Sequence, residues 1–478
     1  MKNSLLMKVF GLLVIASFVL AACGTPAATE APAVEATEAP AVEATEAPAA
    51  ATEAPAVATE APAMTEAPVA GDVEIRWRTR PDNQEEIDVY SQISTDLDSE
   101  LDGITLTYEP GGSEGANYQD QLKAEIAAGT APDVFWIPGT DVADFATRGL
   151  ILNASDLAAG SDFNVDDFYA GPMFHLTYNP ETGASGADSG ALWGIPRDVS
   201  TFALYLNMDL INEAGAPDPR ELAANGEWTW DAFLDVAQKT RALGSDVYGY
   251  GASAWWGPYG VWLNASGGGF FTEDRAACAL NTEESLSGLD FQRSLYQDFD
   301  VATPYGEDPE PTFRAGKVAM FQNGRWATPG VRTVDFEWDV VELPSGPSGT
   351  AGNWLFWGAY VINANTEHPE EAWALAQALT TAQTQGKISA LGANIPSRVS
   401  QEALDAFLTF TPPANNQAFL NGIAAGANPT AEGPLWAGSW PEYDKIMGPA
   451  IQGVLTGATS VEDFGATICD EANKVFNQ

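Results

Sequence analysis

The stretch AAGTAPDVFWIPG, Ala127–Gly139, decides the fold class. Its first two residues close a helical pattern that starts at Tyr118. Val134–Ile137 is a short apolar run with the length and flanking Pro and Gly of a buried strand, and the chain leaves it through Pro138-Gly139-Thr140-Asp141. Upstream, VEIRWR (Val73–Arg78) reads as a strand, Gln84 to about Glu100 as a helix, and ITLTYE (Ile104–Glu109) as a second strand, with a Gly-rich turn before Tyr118. Strands alternating with helices of this length predict βαβ units and a largely parallel sheet. In such sheets ligands lie beyond the carboxyl ends of the strands. Here those ends are Arg78-Thr79-Arg80, Pro110-Gly111-Gly112 and Pro138–Asp141.

The N-terminus has a different character. Lys2 and Lys8 precede an apolar run from Val9 to Leu20, too short for a span of roughly 20 residues but suited to a signal peptide. LAAC, Leu20–Cys23, resembles a bacterial lipobox. Residues 1–22 are therefore expected to be a lipoprotein signal peptide and Cys23 the lipidated mature N-terminus; the alternative is an ordinary signal peptide cut near Ala22, with Cys23 incidental. More than one acyl chain on Cys23 would anchor stably to the outer, extracytoplasmic face of the cell membrane. The motif TEAP then recurs at Thr29, Thr37, Thr45, Thr52, Thr59 and Thr65. Periodic proline forbids a continuous helix, and Ala, Thr, Glu and Pro supply no core. Residues 23–70 read as a disordered tether, on the order of 140 Å at about 3.1 Å per residue.

The chain of 478 residues carries 66 acidic and 21 basic side chains. With the tether's eight glutamates and the two leading lysines set aside, 58 face 19, a balance of −39. Such a surface repels nucleic acid and anionic membrane. Cys278 and Cys469 are the cysteines beyond the tether. They form a possible disulfide or stand as two buried thiols. No CxxC or His/Cys cluster suggests a metal, and no cofactor is implied. With only His175 and His368, histidine-based catalysis is awkward.

Several segments, taken in order, resemble the family 1 bacterial extracellular solute-binding proteins, the maltose-binding-protein-like sugar-binding lipoproteins of ABC transporters. They are AAGTAPDVFWIPG, GLILNASDL (Gly149–Leu157), ALWGIPRDVSTFALYLNMDLINEAG (Ala191–Gly215), WTWDAFLDVAQ (Trp228–Gln238), TFRAGKVAMFQNGRW (Thr312–Trp326), ELPSGPSG (Glu342–Gly349) and HPEEAWALAQALTTAQTQ (His368–Gln385). The resemblance covers about residues 73 to 478. Leu206 departs from it where an aromatic is common, and the loops around Trp255-Trp256 and Trp354–Trp357 are unusually rich in tryptophan. It implies an α/β, two-lobe periplasmic-binding-protein-like fold with a cleft between the lobes and several inter-lobe crossings. Lobe one is expected at 71–195 plus 350–398 and lobe two at 200–345 plus 399–478. The expected crossings are Gly194-Ile195-Pro196 and Pro344–Pro347. Both cysteines then fall in lobe two.

A sugar ring offers an apolar C–H face and a rim of hydroxyls, so it calls for indoles beneath it and planar polar groups around it. Trp255 and Trp256 sit in a Gly/Pro-interrupted loop. Trp326 follows Asn323-Gly324-Arg325 in a turn matching the family's Gly-x-Trp stacking position. Trp354 and Trp357 flank the strand FWGAYVI, and Trp436 and Trp440 follow Pro434 in a loop. Trp77, Trp230, Trp338 and Trp373 read as core. Arg80, Thr140, Asp141, Arg197, Asp198 and Asn323 form a candidate set of hydroxyl partners, because charge-assisted bonds are stronger than neutral ones. For each candidate the competing assignment is ordinary packing or solvated surface.

Two motifs are set aside. Gly111-Gly112-Ser113-Glu114-Gly115 fits G-x-S-x-G, yet His175 lies in an apolar stretch and His368 looks like a helix start. Asp98–Gly103 with Glu109 approaches a calcium loop, but Gly103 suits a helix C-cap. The function expected is a non-enzymatic, monomeric receptor that captures a mono- to oligosaccharide and delivers it to ABC transporter permease subunits, held to the membrane by its lipid. The alternatives are a membrane-anchored extracellular glycoside hydrolase, needing two carboxylates about 5–10 Å apart, and a wall-binding module with a flat aromatic platform.

Overall fold

The computed structural model describes residues 73–81, 84–112, 118–273, 275–426 and 440–477, all within the compact unit Val69–Gln478. The signal peptide, Cys23, the tether, Ser113–Gly115 and Trp436 lie outside the described residues. Among the described residues no helix is long and apolar enough to cross a membrane.

The strands are β1 (Val73–Thr79), β2 (Ile104–Pro110), β3 (Val134–Pro138), β4 (Ile195–Ser200), β5 (Phe202–Asn207), β6 (Tyr248–Ala252), β7 (Val318–Gly324), β8 (Trp338–Val341), β9 (Phe356–Ile362) and β10 (Ile395–Pro396). They form two sheets, ordered β10-β4-β9-β3-β1-β2 and β6-β7-β5-β8. The first is the sheet of lobe one, the second that of lobe two. The helices Gln84–Glu100 and Tyr118–Ala128 form where the sequence places them. The expectation of a largely parallel sheet is corrected. β2, β1 and β3 run parallel, but β9 is antiparallel to both β3 and β4, and β10 is antiparallel to β4. β4 carries the chain out toward the second sheet and β9 brings it back, so this pair needs no crossover helix to run in opposite directions.

Local hydrogen bonding sets three further boundaries. Within FRAGKVAM the helix Pro309–Arg314 ends, Gly316 adopts φ +74°, and β7 starts at Val318. HPEEAWALAQALTTAQTQ is two helices, Pro369–Leu379 and Ala382–Ser389, the second begun by the Thr381 hydroxyl accepting from the Thr384 amide. Trp440 opens the helix Trp440–Leu455 instead of lying in a loop.

The crossings also move. Ile195–Ser200 pairs with β9 of lobe one, and its Asp198 and Val199 also with β10, so the first crossing falls on Thr201, the single residue between β4 and β5. Pro344–Pro347 stays in lobe two, because the Ser345 amide donates to Trp228 O and the Trp230 amide to Ser345 O. The return crossing lies between Trp354, whose indole N–H donates to Gly257 O in lobe two, and β9, which starts at Phe356 in the first sheet. Residues 399–478 do not all belong to lobe two: the helix Gln401–Thr409 packs on Ala382–Ser389 and β10 of lobe one, and the chain reaches lobe two at Ala414-Asn415, whose amides donate to Asp339 of β8, before Gln417–Gly426 packs on β5 and β8. Cys278 and Cys469 are buried in the lobe-two cluster with their sulfurs bonded, their Cα atoms 5.4 Å apart.

The crossings are tied to one another. The Thr201 hydroxyl donates to Phe419 O at 2.7 Å. Asn353, 2% exposed, accepts from the Phe202 amide at 3.1 Å and donates to Phe202 O at 2.9 Å. It thereby acts as a short strand partner for a backbone that has just left β4. Asn353→Ala leaves a buried N–H and a buried C=O without these bonds and is expected to cost about 2–4 kcal/mol, read as a lower denaturation midpoint at unchanged slope.

Candidate functional site

A cleft of about 1080 Å³ opens between the two sheets. Its lobe-one wall is built from the strand ends. β3 is buried from Val134 to Ile137, but its period of two sends Phe135 and Ile137 into the core and sets Trp136 and Pro138 on the cleft. β4 carries a bulge between Pro196 and Asp198, with Arg197 as the extra residue. The bulge brings Arg197 and Asp198, otherwise on opposite faces, to the same wall. Arg197 donates through Nε and Nη2 to Asp198 Oδ2 at 2.9 and 2.6 Å, and through Nη1 to the Thr79 hydroxyl at 2.7 Å. Arg80 and Arg197 place their guanidinium carbons 4.7 and 4.8 Å from the Trp136 ring centroid, so both cations pack against this one indole.

Among the described residues, four of the five indoles that line the cleft rest on a glycine. Trp136 of β3 lies over Gly358 of β9, and Trp357 of β9 lies over Gly139 just past β3. A Cβ at either glycine would overlap the ring it carries. On lobe two, Trp255 lies over Gly257 and Trp326 folds back over Gly324 in the same way. Phe356, the first residue of β9 after the return crossing, gathers these rings. Its centroid is 5.6 Å from Trp255, 5.5 Å from Trp256 and 5.4 Å from Trp326.

Of the residues named from sequence, Arg80, Thr140, Arg197, Asp198 and Trp357 line the cleft from lobe one, and Trp255, Trp256, Asn323 and Trp326 from lobe two. Trp354 does not: it is 1% exposed, donates its indole N–H to Gly257 O at 2.9 Å, and stacks on Phe270 behind Trp256. Trp440 is buried against Trp256 at 5.1 Å, one layer behind the wall. Asp141 is half-buried beside Thr140 and does not line the cleft. Trp338 is partly buried, while Trp77, Trp230 and Trp373 are core.

Sequence reading missed Trp136, Phe356, Glu85, Asp308 and Glu310, all on the cleft. The signal for Trp136 was its spacing of two from Pro138 at a strand end. Asp308 reads as a helix cap and is one, accepting from the Glu310 amide at 3.1 Å; only the fold turns that cap toward the cleft. Burial and the neighbouring Asp308 raise the Glu310 carboxyl above its ordinary value.

The set-aside motifs have other employment. Glu109 pairs with Arg76 and Arg78 at 2.5 and 2.7 Å, and Asp98 accepts from the Leu106 amide at 2.6 Å. Gly103 adopts φ +79° between helix and β2. His175 is buried and stacked on Trp357, with Arg275 Nη1 3.3 Å from its Nδ1. Among the described residues no group of three or more His, Cys, Asp or Glu could hold a metal ion.

Burial pushes the Asp141 carboxyl up to about 6 against the opposing pull of Lys123. Because the fold holds this proton more tightly than the unfolded chain, the stabilisation is full below about pH 4 and fades as pH rises to about 6. Asp141→Asn is expected to remove that decline and to exceed the parent at pH 7 by about 1 kcal/mol, after discounting for partial exposure, in denaturation curves taken from pH 3.5 to 7.5. Gly139→Ala is expected to displace Trp357, changing the near-ultraviolet circular dichroism and costing about 1–3 kcal/mol.

Residues 94–432 match the family described as bacterial extracellular solute-binding protein. A protein of Brucella abortus (strain 2308), described only as a binding protein, is 23% identical over 380 residues, covering 77% of this chain and 85% of its own. The galactooligosaccharide-binding protein of Bacillus subtilis (strain 168) is 24% identical over 364 residues, with 72% and 76% covered. Among solved structures, the ABC substrate-binding protein of Listeria monocytogenes in complex with cycloalternan superimposes with a TM-score of 0.74 at 19% identity, over 85% of this chain and 99% of that one.

Proposed function

Since the chain belongs to the bacterial extracellular solute-binding proteins, we propose that it is a lipid-anchored receptor that captures a carbohydrate between its lobes and delivers it to an ABC transporter permease. The observation that carries this reading is the cleft wall itself. Indoles from both lobes, Trp136 and Trp357 on one side and Trp255, Trp256 and Trp326 on the other, face a shared space rimmed by Arg80, Arg197, Asp198 and Asn323. Apolar sugar faces stack on such rings, while the fixed guanidinium and carboxylate groups take the hydroxyls. A cleft walled by two lobes supports closure on the ligand, and closure gives a permease two states to distinguish.

Anchoring follows from Cys23 and the TEAP segment. A receptor confined near its permease by a long, self-repelling tether gains effective concentration without needing affinity for the membrane surface. We assign the protein to the extracytoplasmic side as a monomer. The relatives with this fold are substrate-binding proteins, which favours capture over hydrolysis. Turnover of a bound oligosaccharide would overturn that assignment.

Thermal-shift screening against mono-, di- and oligosaccharides, followed by calorimetry, tests capture directly. No shift with any neutral carbohydrate sinks the proposal. Trp326 is the sharpest single residue, its ring packed edge-to-face on Phe202 and Phe356 over Gly324. Trp326→Ala is expected to weaken the sugar found by the screen by about 2–4 kcal/mol, about thirtyfold to a thousandfold in Kd. Unchanged affinity, or loss of folding in its place, contradicts the stacking role.

A further inference from the structure

Arg325 stands one residue before Trp326 but its side chain does not reach the cleft. It is 0% exposed, and none of its three guanidinium nitrogens has a hydrogen-bond partner among the described residues. Nor does any ion pair among them include it. Its Cζ lies 4.8 Å from the ring centroid of Phe407, 5.3 Å from Phe410 and 5.2 Å from Phe419. A buried guanidinium normally has a carboxylate or several carbonyls, since desolvation of a full charge is costly. Three aromatic faces return only part of that cost. Consistently, burial lowers the Arg325 pKa to about 10.

The cage is assembled from both lobes. Arg325 follows β7, and Phe419 belongs to the helix Gln417–Gly426, which packs on β5 and β8 of lobe two. Phe407 belongs to the helix Gln401–Thr409 on lobe one, and the Phe410 ring lies flat on Gly392, also lobe one. Arg332 adds a second guanidinium 4.5 Å from the Phe410 centroid. The same residue that carries the caged charge donates its backbone N–H to Ser200 Oγ at 3.0 Å, at the first crossing.

We infer that this cage biases the hinge: rotation of the lobes draws Phe407 and Phe410 away from Arg325, admits water to the guanidinium, and so favours the open arrangement in the absence of ligand. Arg325 is thus a positioning residue for capture, acting through the lobe angle and not by touching the ligand. A methionine in its place fills the cage with an apolar chain and removes the gain from wetting. A lysine keeps the charge but cannot spread it over three rings. The inference rests on the lobe closure proposed above, and its test uses no ligand, so failure of sugar binding leaves this readout untouched.

The test is hydrogen–deuterium exchange and thermal unfolding of the full-length, ligand-free chain as parent, Arg325→Met and Arg325→Lys. For Arg325→Met we expect exchange at 200–203, 353–357 and 407–419 to slow severalfold, exchange in β1 to stay at the parent rate, and Tm to rise by about 2–4 °C. For Arg325→Lys we expect faster exchange at the same crossings. Unchanged crossings in Arg325→Met, or a slowing shared equally by β1, reduces Arg325 to a packing role and overturns the inference. Should Arg325→Met fail to fold, slower crossing exchange in Arg325→Lys than in the parent overturns it as well.

Discussion

The exchange of indoles and glycines between β3 and β9 is the contact on which the cleft depends. Trp136 needs Gly358, and Trp357 needs Gly139, because each ring lies where a Cβ would be. The two strands are adjacent and antiparallel, with Pro138 opposite Gly358, so the two pairs lie side by side at the cleft edge of the sheet. Large rings laid flat against backbone lose little rotamer freedom on ligand binding, because packing has already fixed them. The same device on lobe two, at Trp255 and Trp326, makes both walls rigid. Whatever mobility capture needs must then reside elsewhere.

On the proposed reading it belongs to the crossings, which combine tight bonding with a buried charge. Thr201, Asn353 and Phe419 satisfy the backbone where the chain changes lobe. A hinge needs no long adjustable loop; a few residues that absorb the change in φ and ψ are enough. Arg325 sits beside them as a charge without hydrogen-bond partners among the described residues. On the proposed reading, a packed cleft wall, a bonded crossing and a caged cation without hydrogen-bond partners among the described residues make bending the soft motion.

The aromatic wall also explains why single-residue readings of tryptophan were uneven. Trp255, Trp256, Trp326 and Trp357 reach the cleft, whereas Trp354 and Trp440 form a second layer that holds Trp256 in place. Both layers have the same local sequence character, a tryptophan near Gly or Pro in a loop or strand entry. What separates them is whether the indole N–H or ring face is consumed by protein, as at Trp354 and Gly257.

The sequence by itself determined the α/β class, the early strand–helix–strand order to within a residue or two, and the family whose fold this is. Local patterning controls those features: a period of two or 3.6, and turn residues where elements end. Strand ends were legible too, and through them Arg80 and Thr140; Arg197 and Asp198 were named from an expected crossing, whereas they lie inside β4 at its bulge. Strand direction in lobe one, the position of the crossings and the placement of Gln401–Thr409 were decided only by tertiary structure. So were Trp136, Phe356 and the Arg325 cage, because each takes its meaning from residues tens to hundreds of positions away. A sequence pattern records which face of an element is buried; it does not record what that face is buried against.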